Sequence, residues 1–166
     1  MVTIRALRPR DLEPLRIILE QTGVFSAQER TCAQELLTES LTAKPGEYDV
    51  LVSALQGNVT GYIMFGQVPL TSGTWDIYWV AVAPLFKGKS HGRLLLYSAE
   101  KAIHEASGRL VCIETSGRPE YHATRRFYER CGYDEASVID HFYAPNDARH
   151  IFVKQLPPLL PDLECD

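Results

Sequence analysis

Residues Ile77 to Glu100, IYWVAVAPLFKGKSHGRLLLYSAE, run a strand into a helix through a small cationic loop, and few folds accommodate that succession. Ile77-Tyr78-Trp79-Val80-Ala81-Val82 is β-branched and aromatic, as a buried strand should be. Leu95, Ala99, Ala102, Ile103 and Ala106 recur with helical period, which predicts a helix with one apolar stripe. Between them, Phe86-Lys87-Gly88-Lys89-Ser90-His91-Gly92-Arg93 brings small residues, free backbone N–H groups and three cationic side chains to a helix N-terminus. Such an end attracts anions, phosphate most naturally. The plainer reading is a solvated cationic helix start that holds no ligand.

Two phosphate loops compete for this stretch. Gly88-Lys89-Ser90 matches the second half of the nucleotide P-loop, but Ala83 stands where its first glycine belongs. The strand ending Val80-Ala81-Val82-Ala83-Pro84, followed by Lys87-x-x-Ser90-x-Gly92 and Arg93-Leu94-Leu95-Leu96, resembles the pyrophosphate loop of the GNAT acyl-CoA N-acyltransferases. That family usually has Arg or Gln at the position of Lys87 and Gly at that of Ser90. Glycine there lets the backbone approach the pyrophosphate or take positive φ.

A second motif follows about thirty-five residues later. Phe127-Tyr128-Glu129-Arg130-Cys131-Gly132-Tyr133 resembles the end of the GNAT helix that lies beside the cofactor, where the tyrosine points at the acetyl sulfur. Tyr121 and Thr124 occupy positions at which the family usually has Asn and Ala. The start, Thr3-Ile4-Arg5-Ala6-Leu7-Arg8-Pro9 with Asp11-Leu12, also resembles the family's first strand and helix, so the likeness spans nearly the whole chain. Glu114, Tyr128 and Phe142-Tyr143-Ala144-Pro145 are most similar to the branch of bacterial ribosomal-protein alanine acetyltransferases. The resemblance implies a mixed α/β fold, a mostly antiparallel sheet of about seven strands flanked by about four helices. It also implies acetyl-CoA as cosubstrate and a primary amine of a small molecule or peptide as acceptor. A catalytically silent acyl-CoA-binding module is the alternative.

The remaining pattern is consistent with one such domain over residues 1–156 and an extended tail over 157–166, where Pro157-Pro158-Leu159-Leu160-Pro161 cannot donate regularly to a ladder. Helices are expected over 11–22 and 27–41, the second begun by Ser26 with Glu29 three residues on, a capping-box pattern. Strands are expected over 48–55 and 59–68, around the hairpin signal Gln56-Gly57-Asn58. A final antiparallel pair should run over 133–143 and 150–156. Seventeen basic against twenty-one acidic residues, net −4, argue against a nucleic-acid grip. The four cysteines lack Cys-x-x-Cys spacing and the five histidines lack metal spacing, so no metal is expected. With no apolar span for a membrane, a cytoplasmic protein is expected. Oligomeric state, a homodimer included, is left open.

Acetyl transfer to an amine requires a neutral amine, a thiolate that leaves, and an N–H donor for the developing oxyanion. The chain has no Ser/His/Asp or Cys/His signature, and direct transfer needs none. Family position makes Tyr128 the acid for the thiolate, against the plainer role of a core tyrosine. Two carboxylates compete as base: Glu114, ending an apolar strand where a charge needs a partner or a purpose, and Asp76, near where other GNAT branches carry a glutamate. A water relay would serve otherwise. The backbone of Val80, Ala81 and Val82 should pair with the pantetheine arm, and residues Lys87 to Arg93 should hold the pyrophosphate, with Tyr121 as an accessory contact. His91 is expected to face solvent rather than act as base. Two N-terminal helices, the Val68–Thr74 loop and the Asp140–Arg149 crossover should dock the acceptor, with Phe142 and Tyr143 offering π-faces to a cation.

Overall fold

The computed structural model describes residues 1–158. Strand β1 (Val2–Ala6) is followed by helices α1 (Leu12–Gln21) and α2 (Ala27–Ser40). Next come β2 (Asp49–Leu55), β3 (Asn58–Gln67), β4 (Thr74–Val82), α3 (His91–Glu105), β5 (Leu110–Ser116), α4 (His122–Arg130), β6 (Asp134–Ala144) and β7 (Asp147–Gln155). The seven strands form one sheet in the order β1-β2-β3-β4-β5-β7-β6, antiparallel except where β4 meets β5.

Local chemistry explains the boundaries. The Ser26 hydroxyl accepts from the Glu29 amide at 3.2 Å while the Glu29 carboxylate accepts from the Ser26 amide at 2.6 Å, so the capping box closes α2 at its start. Gln56 and Gly57 both take positive φ, 51° and 85°, which is the twist a two-residue hairpin requires between β2 and β3. Asp11, almost fully buried, receives two hydrogen bonds from the Arg5 guanidinium at 2.6 and 2.8 Å and so ties β1 to the start of α1. The final pair differs from expectation: β7 begins at Asp147 and ends at Gln155, because Pro145-Asn146 alone makes the turn, with Asn146 at φ 66°. Of the expected tail, residues 159–166 lie outside the described residues; the Pro157 carbonyl accepts from His104 Nε2 at 2.9 Å.

The sheet has a core on each face. Leu15 and Leu19 of α1 and Leu37 of α2 pack on Val52, Tyr62 and Met64. On the opposite face, Leu95 and Ile103 of α3 and Tyr128 of α4 pack on Ile63, Ile77, Ile113 and Phe152. Between these layers the sheet divides. β4 and β5 pair only from Thr74 with Leu110 to Ile77 with Ile113, although each strand continues beyond that point. At the branch β4 carries a bulge: Trp79 pairs with Met64 and Ile77 with Phe65, leaving Tyr78 without an opposite number. A bulged strand bends and twists more strongly, and here it turns away from β5. The extra residue also resets the alternation, so that Ile77 faces α3 while Trp79 faces α1 and α2.

Among the described residues no helix is long and apolar enough to cross a membrane, and no group of three or more His, Cys, Asp or Glu is placed to hold a metal ion.

Candidate active site

A cavity of about 510 Å³ fills the split between β4 and β5. Asp76 to Val82 form one wall and Glu114 to Ser116 the other, so all of Val80, Ala81 and Val82 lie on it. Because, among the described residues, β4 has no partner on this side past Ile77, its backbone groups that point away from β3 are free to pair with an extended ligand.

Of the cationic loop, Lys87 alone reaches this cavity, and Gly88 to Arg93 lie outside its lining. Gly88 has φ 74°, and Ser90, the residue before α3, sits at φ 67° and ψ 0°. Gly88 and Ser90, with Lys89 between them, thus both leave the right-handed region, the kind of backbone from which anion nests are built. Ser90 therefore holds the conformation for which glycine is the usual residue, and its side chain makes no cap hydrogen bond in return. Lys89 lies over the Phe86 ring, 5.9 Å from its centroid, and Arg93 is exposed on the first turn of α3. A Cβ at Gly92 would meet Phe127 at 3.4 Å and Val82 at 3.7 Å, so any side chain there would enter the gap between α3, α4 and β4.

His91 departs from expectation. Its ring is buried rather than solvent-facing, 3% exposed, and packs on Phe86 with centroids 4.9 Å apart. Ser53 Oγ, Thr60 Oγ1 and His91 Nδ1 form a buried chain with 2.9 Å at each link. The Thr60 backbone carbonyl accepts from the Ala83 amide at 2.8 Å. The imidazole is thus a strut under the loop rather than a group facing solvent. Burial, with the Lys89 charge adding, holds its pKa below the ordinary 6.5. No sequence pattern separates such a histidine from an exposed one, since its partners lie on β2 and β3.

The three residues expected to carry acid–base chemistry all line the cleft, from opposite faces of the sheet. Tyr128 stands on the α3 and α4 face, its ring fixed by Phe127, Tyr133 and Phe152. Burial, with the neighbouring Cys131 adding, raises its pKa strongly, so the phenol stays protonated. Asp76 points to the other face, between the inward Trp75 and Ile77. Burial and the nearby Glu114 charge raise its pKa, against the opposing pull of Arg149. Glu114 is more exposed than its apolar neighbours suggest and is ion-paired to Arg149. That pairing supplies the partner a carboxylate on this strand needs, and it occupies one of the two candidate bases.

The acceptor side differs from expectation in three respects. Phe142 stacks on the Arg149 guanidinium, 4.7 Å from ring centroid to Cζ, and does not line the cleft; Tyr143 does. A large bulge, in which Asp140–Tyr143 of β6 stand against Ala148 alone, brings Tyr143 there. The Val68–Thr74 loop is absent from this cavity; Val68 and Leu70 line a separate hollow beyond Tyr78. Tyr121, expected at the cofactor, lines the cleft but spends its hydroxyl on Glu29 Oε1 at 3.0 Å.

Sequence reasoning missed the residues around that bond. Glu29 also receives Arg118 at 3.3 Å, and Arg118 approaches Asp147, which accepts from the Ser116 hydroxyl at 2.5 Å. Burial pushes the Glu29 pKa up, but the Ser26 and Tyr121 hydrogen bonds and the Arg118 charge outweigh it and hold the pKa below the usual range. The capping-box pattern found Glu29 without showing its second role. Thr115 was missed as well: its hydroxyl is buried at the cleft with no hydrogen-bond partner among the described residues.

The model of the acetyltransferase (GNAT) family matches residues 15–133. A GNAT-family protein from Desulfovibrio desulfuricans is 36% identical, with TM-score 0.88 over 93% of this chain and 99% of its own. The ribosomal-protein-S18-alanine N-acetyltransferase of Escherichia coli superposes with TM-score 0.76 at 18% identity, over 99% of this chain and 100% of its own. The yncA protein of Salmonella typhimurium, solved with its cofactor acetyl-CoA, gives TM-score 0.74 at 19% identity over 99% of both chains. No curated protein matches this sequence. The family match, the 36% identity and a seven-stranded sheet split between β4 and β5 agree, and the chain belongs to the GNAT acetyltransferase family.

Proposed function

We propose that the protein, acting as one unit over residues 1–156, transfers the acetyl group of acetyl-CoA directly to a primary amine of a small molecule or peptide. The observation that carries this reading is the placement of Tyr128 and Asp76 on opposite faces of one split in the sheet. The cosubstrate, when bound, supplies an activated thioester.

The residues present fit it. Gly88 and Ser90 turn amides outward beside Lys87 and suit a pyrophosphate, and the free edge of Val80–Val82 suits an arm that bears amides. The Val82 N–H is the donor for charge developing on the acyl oxygen. As the C–N bond forms and the C–S bond breaks, Tyr128, kept protonated by burial, gives its proton to the departing sulfur and recovers one from the acylated nitrogen. Asp76 takes the proton of the incoming ammonium: it is the carboxylate without an ion pair, and burial and Glu114 raise its basicity. Glu114, neutralised by Arg149, tunes and positions rather than abstracts. The amine enters from the α1 and α2 side, past Tyr143. Free thiols at Cys112 and Cys131 are at home in a reducing cytoplasm, where we place the reaction.

Thiol release from acetyl-CoA across a panel of amines tests this. Amine-dependent release above background hydrolysis supports transfer. Acetyl-CoA that raises the melting temperature while no amine yields thiol supports the silent binding module instead. The observation favouring that second reading is Tyr121, whose hydroxyl Glu29 already holds.

A further inference from the structure

Among the described residues, four buried side-chain polar atoms lack a hydrogen-bond partner: Tyr62 Oη, Trp75 Nε1, Thr115 Oγ1 and Arg149 Nε. Of these residues only Thr115 lines the split between β4 and β5. It is 6% exposed and stands two residues beyond Ile113, the last residue of β5 that pairs with β4. Alternation places its side chain on the face of Val111 and Ile113, which is the face of Tyr128 and α3, opposite to Asp76. A buried hydroxyl without a partner destabilises the free protein, and its retention at a ligand cleft calls for an occupant that satisfies it.

We infer that the Thr115 hydroxyl is a positioning contact for the acyl donor, hydrogen-bonding an amide of its pantetheine arm where the arm lies along Val80–Val82. The inference rests on the acetyl-CoA reading above. It draws on what the hydroxyls of the two neighbours Ser116 and Tyr121 do. Ser116 is bonded to Asp147 and Tyr121 to Glu29, so neither is free for the arm. The α3 and α4 face also sets Thr115 apart from the amine, which arrives from the other side.

Thr115→Val keeps the shape and removes the hydroxyl. Stability and affinity should move in opposite directions. The ligand-free melting temperature should rise by about 2–4 °C, because an unsatisfied buried group is gone. The acetyl-CoA dissociation constant should rise about three- to tenfold, the scale of one hydrogen bond. Affinity for the phosphoadenosine diphosphate half of the molecule, which lacks the arm, should stay at the wild-type value, as should the Michaelis constant for the amine. Thr115→Ser should restore most of the acetyl-CoA affinity. Equal weakening of acetyl-CoA and of the armless nucleotide would overturn the inference, and so would acetyl-CoA affinity unchanged in Thr115→Val. If wild-type protein fails to bind acetyl-CoA at all, the cosubstrate reading itself falls and takes this contact with it.

Discussion

Glu29 and Tyr121, ninety-two residues apart in sequence, meet through a 3.0 Å hydrogen bond that joins α2 to the segment between β5 and α4. The Arg118 guanidinium lies over the Tyr121 ring at 5.1 Å and contributes to the same junction. Since β4 and β5 part after Ile77, this polar cluster holds together at the cleft mouth two halves that the sheet no longer joins there.

Tyr121→Phe removes that bond and leaves the Ser26 capping box intact. The loss should be ~1 kcal/mol, read as a fall of about 2–4 °C in melting temperature. Acetyl-CoA affinity measured by calorimetry should change less than about threefold, because the hydroxyl faces Glu29 rather than the ligand.

Asp76→Asn should abolish the rise of kcat/KM with pH on the acidic side, since the proposed base is then absent. Glu114→Gln should instead move that limb to lower pH. The Glu114 charge raises the Asp76 pKa, and its removal also leaves Arg149 free to lower it further. Full pH–rate profiles of both variants distinguish base from neighbour.

Tyr128→Phe should reduce turnover by about ten- to a thousandfold while the acetyl-CoA dissociation constant stays near wild type. Single-turnover measurements, which isolate the chemical step, are the check.

Ser90→Gly should stabilise the protein. A non-glycine residue at φ 67° is strained, and Ser90 gains no cap hydrogen bond to offset it. Net of the extra freedom glycine has when unfolded, the melting temperature should rise by about 2 °C.

The buried His91 predicts an acid-side loss of stability. Its folded pKa lies below 6.5, so between that value and 6.5 the unfolded chain binds the proton that the folded chain refuses. Stability should therefore rise with pH through this window and level off above it. Urea midpoints from pH 5 to 8 should show the slope, and His91→Gln should flatten it.

Much of the fold was legible in the sequence, because it is written in local signals. The helical stripe of Leu95, Ala99 and Ile103, the Ser26–Glu29 box and the Gln56-Gly57 turn each act within a few residues. The family likeness carried by Phe127 to Tyr133 and Lys87 to Gly92 was readable for the same reason. What stayed hidden depends on partners distant in sequence. The burial of His91 follows from Thr60, thirty-one residues away, and the pairing of Glu114 with Arg149 spans thirty-five. No spacing rule could rank Asp76 over Glu114 without that ion pair. The bulge at Tyr78 was equally silent, since an extra residue in a strand shows only against its neighbour.

That bulge has a consequence for the behaviour of the sheet as a surface. Free strand edges normally lie at a sheet's margins, where they invite pairing with other chains and aggregation. By parting from β5 at Ile77, β4 opens a pair of edges in the middle of the sheet. Helices α1 and α2 pack on one face and α3 and α4 on the other, so these edges are sheltered from a second protein strand while remaining open to a slender chain. Amides along Tyr78–Val82 that point away from β3 should therefore exchange with deuterium quickly in the free protein. They should become protected when a ligand takes the place of the missing strand, which gives the slot a readout independent of turnover.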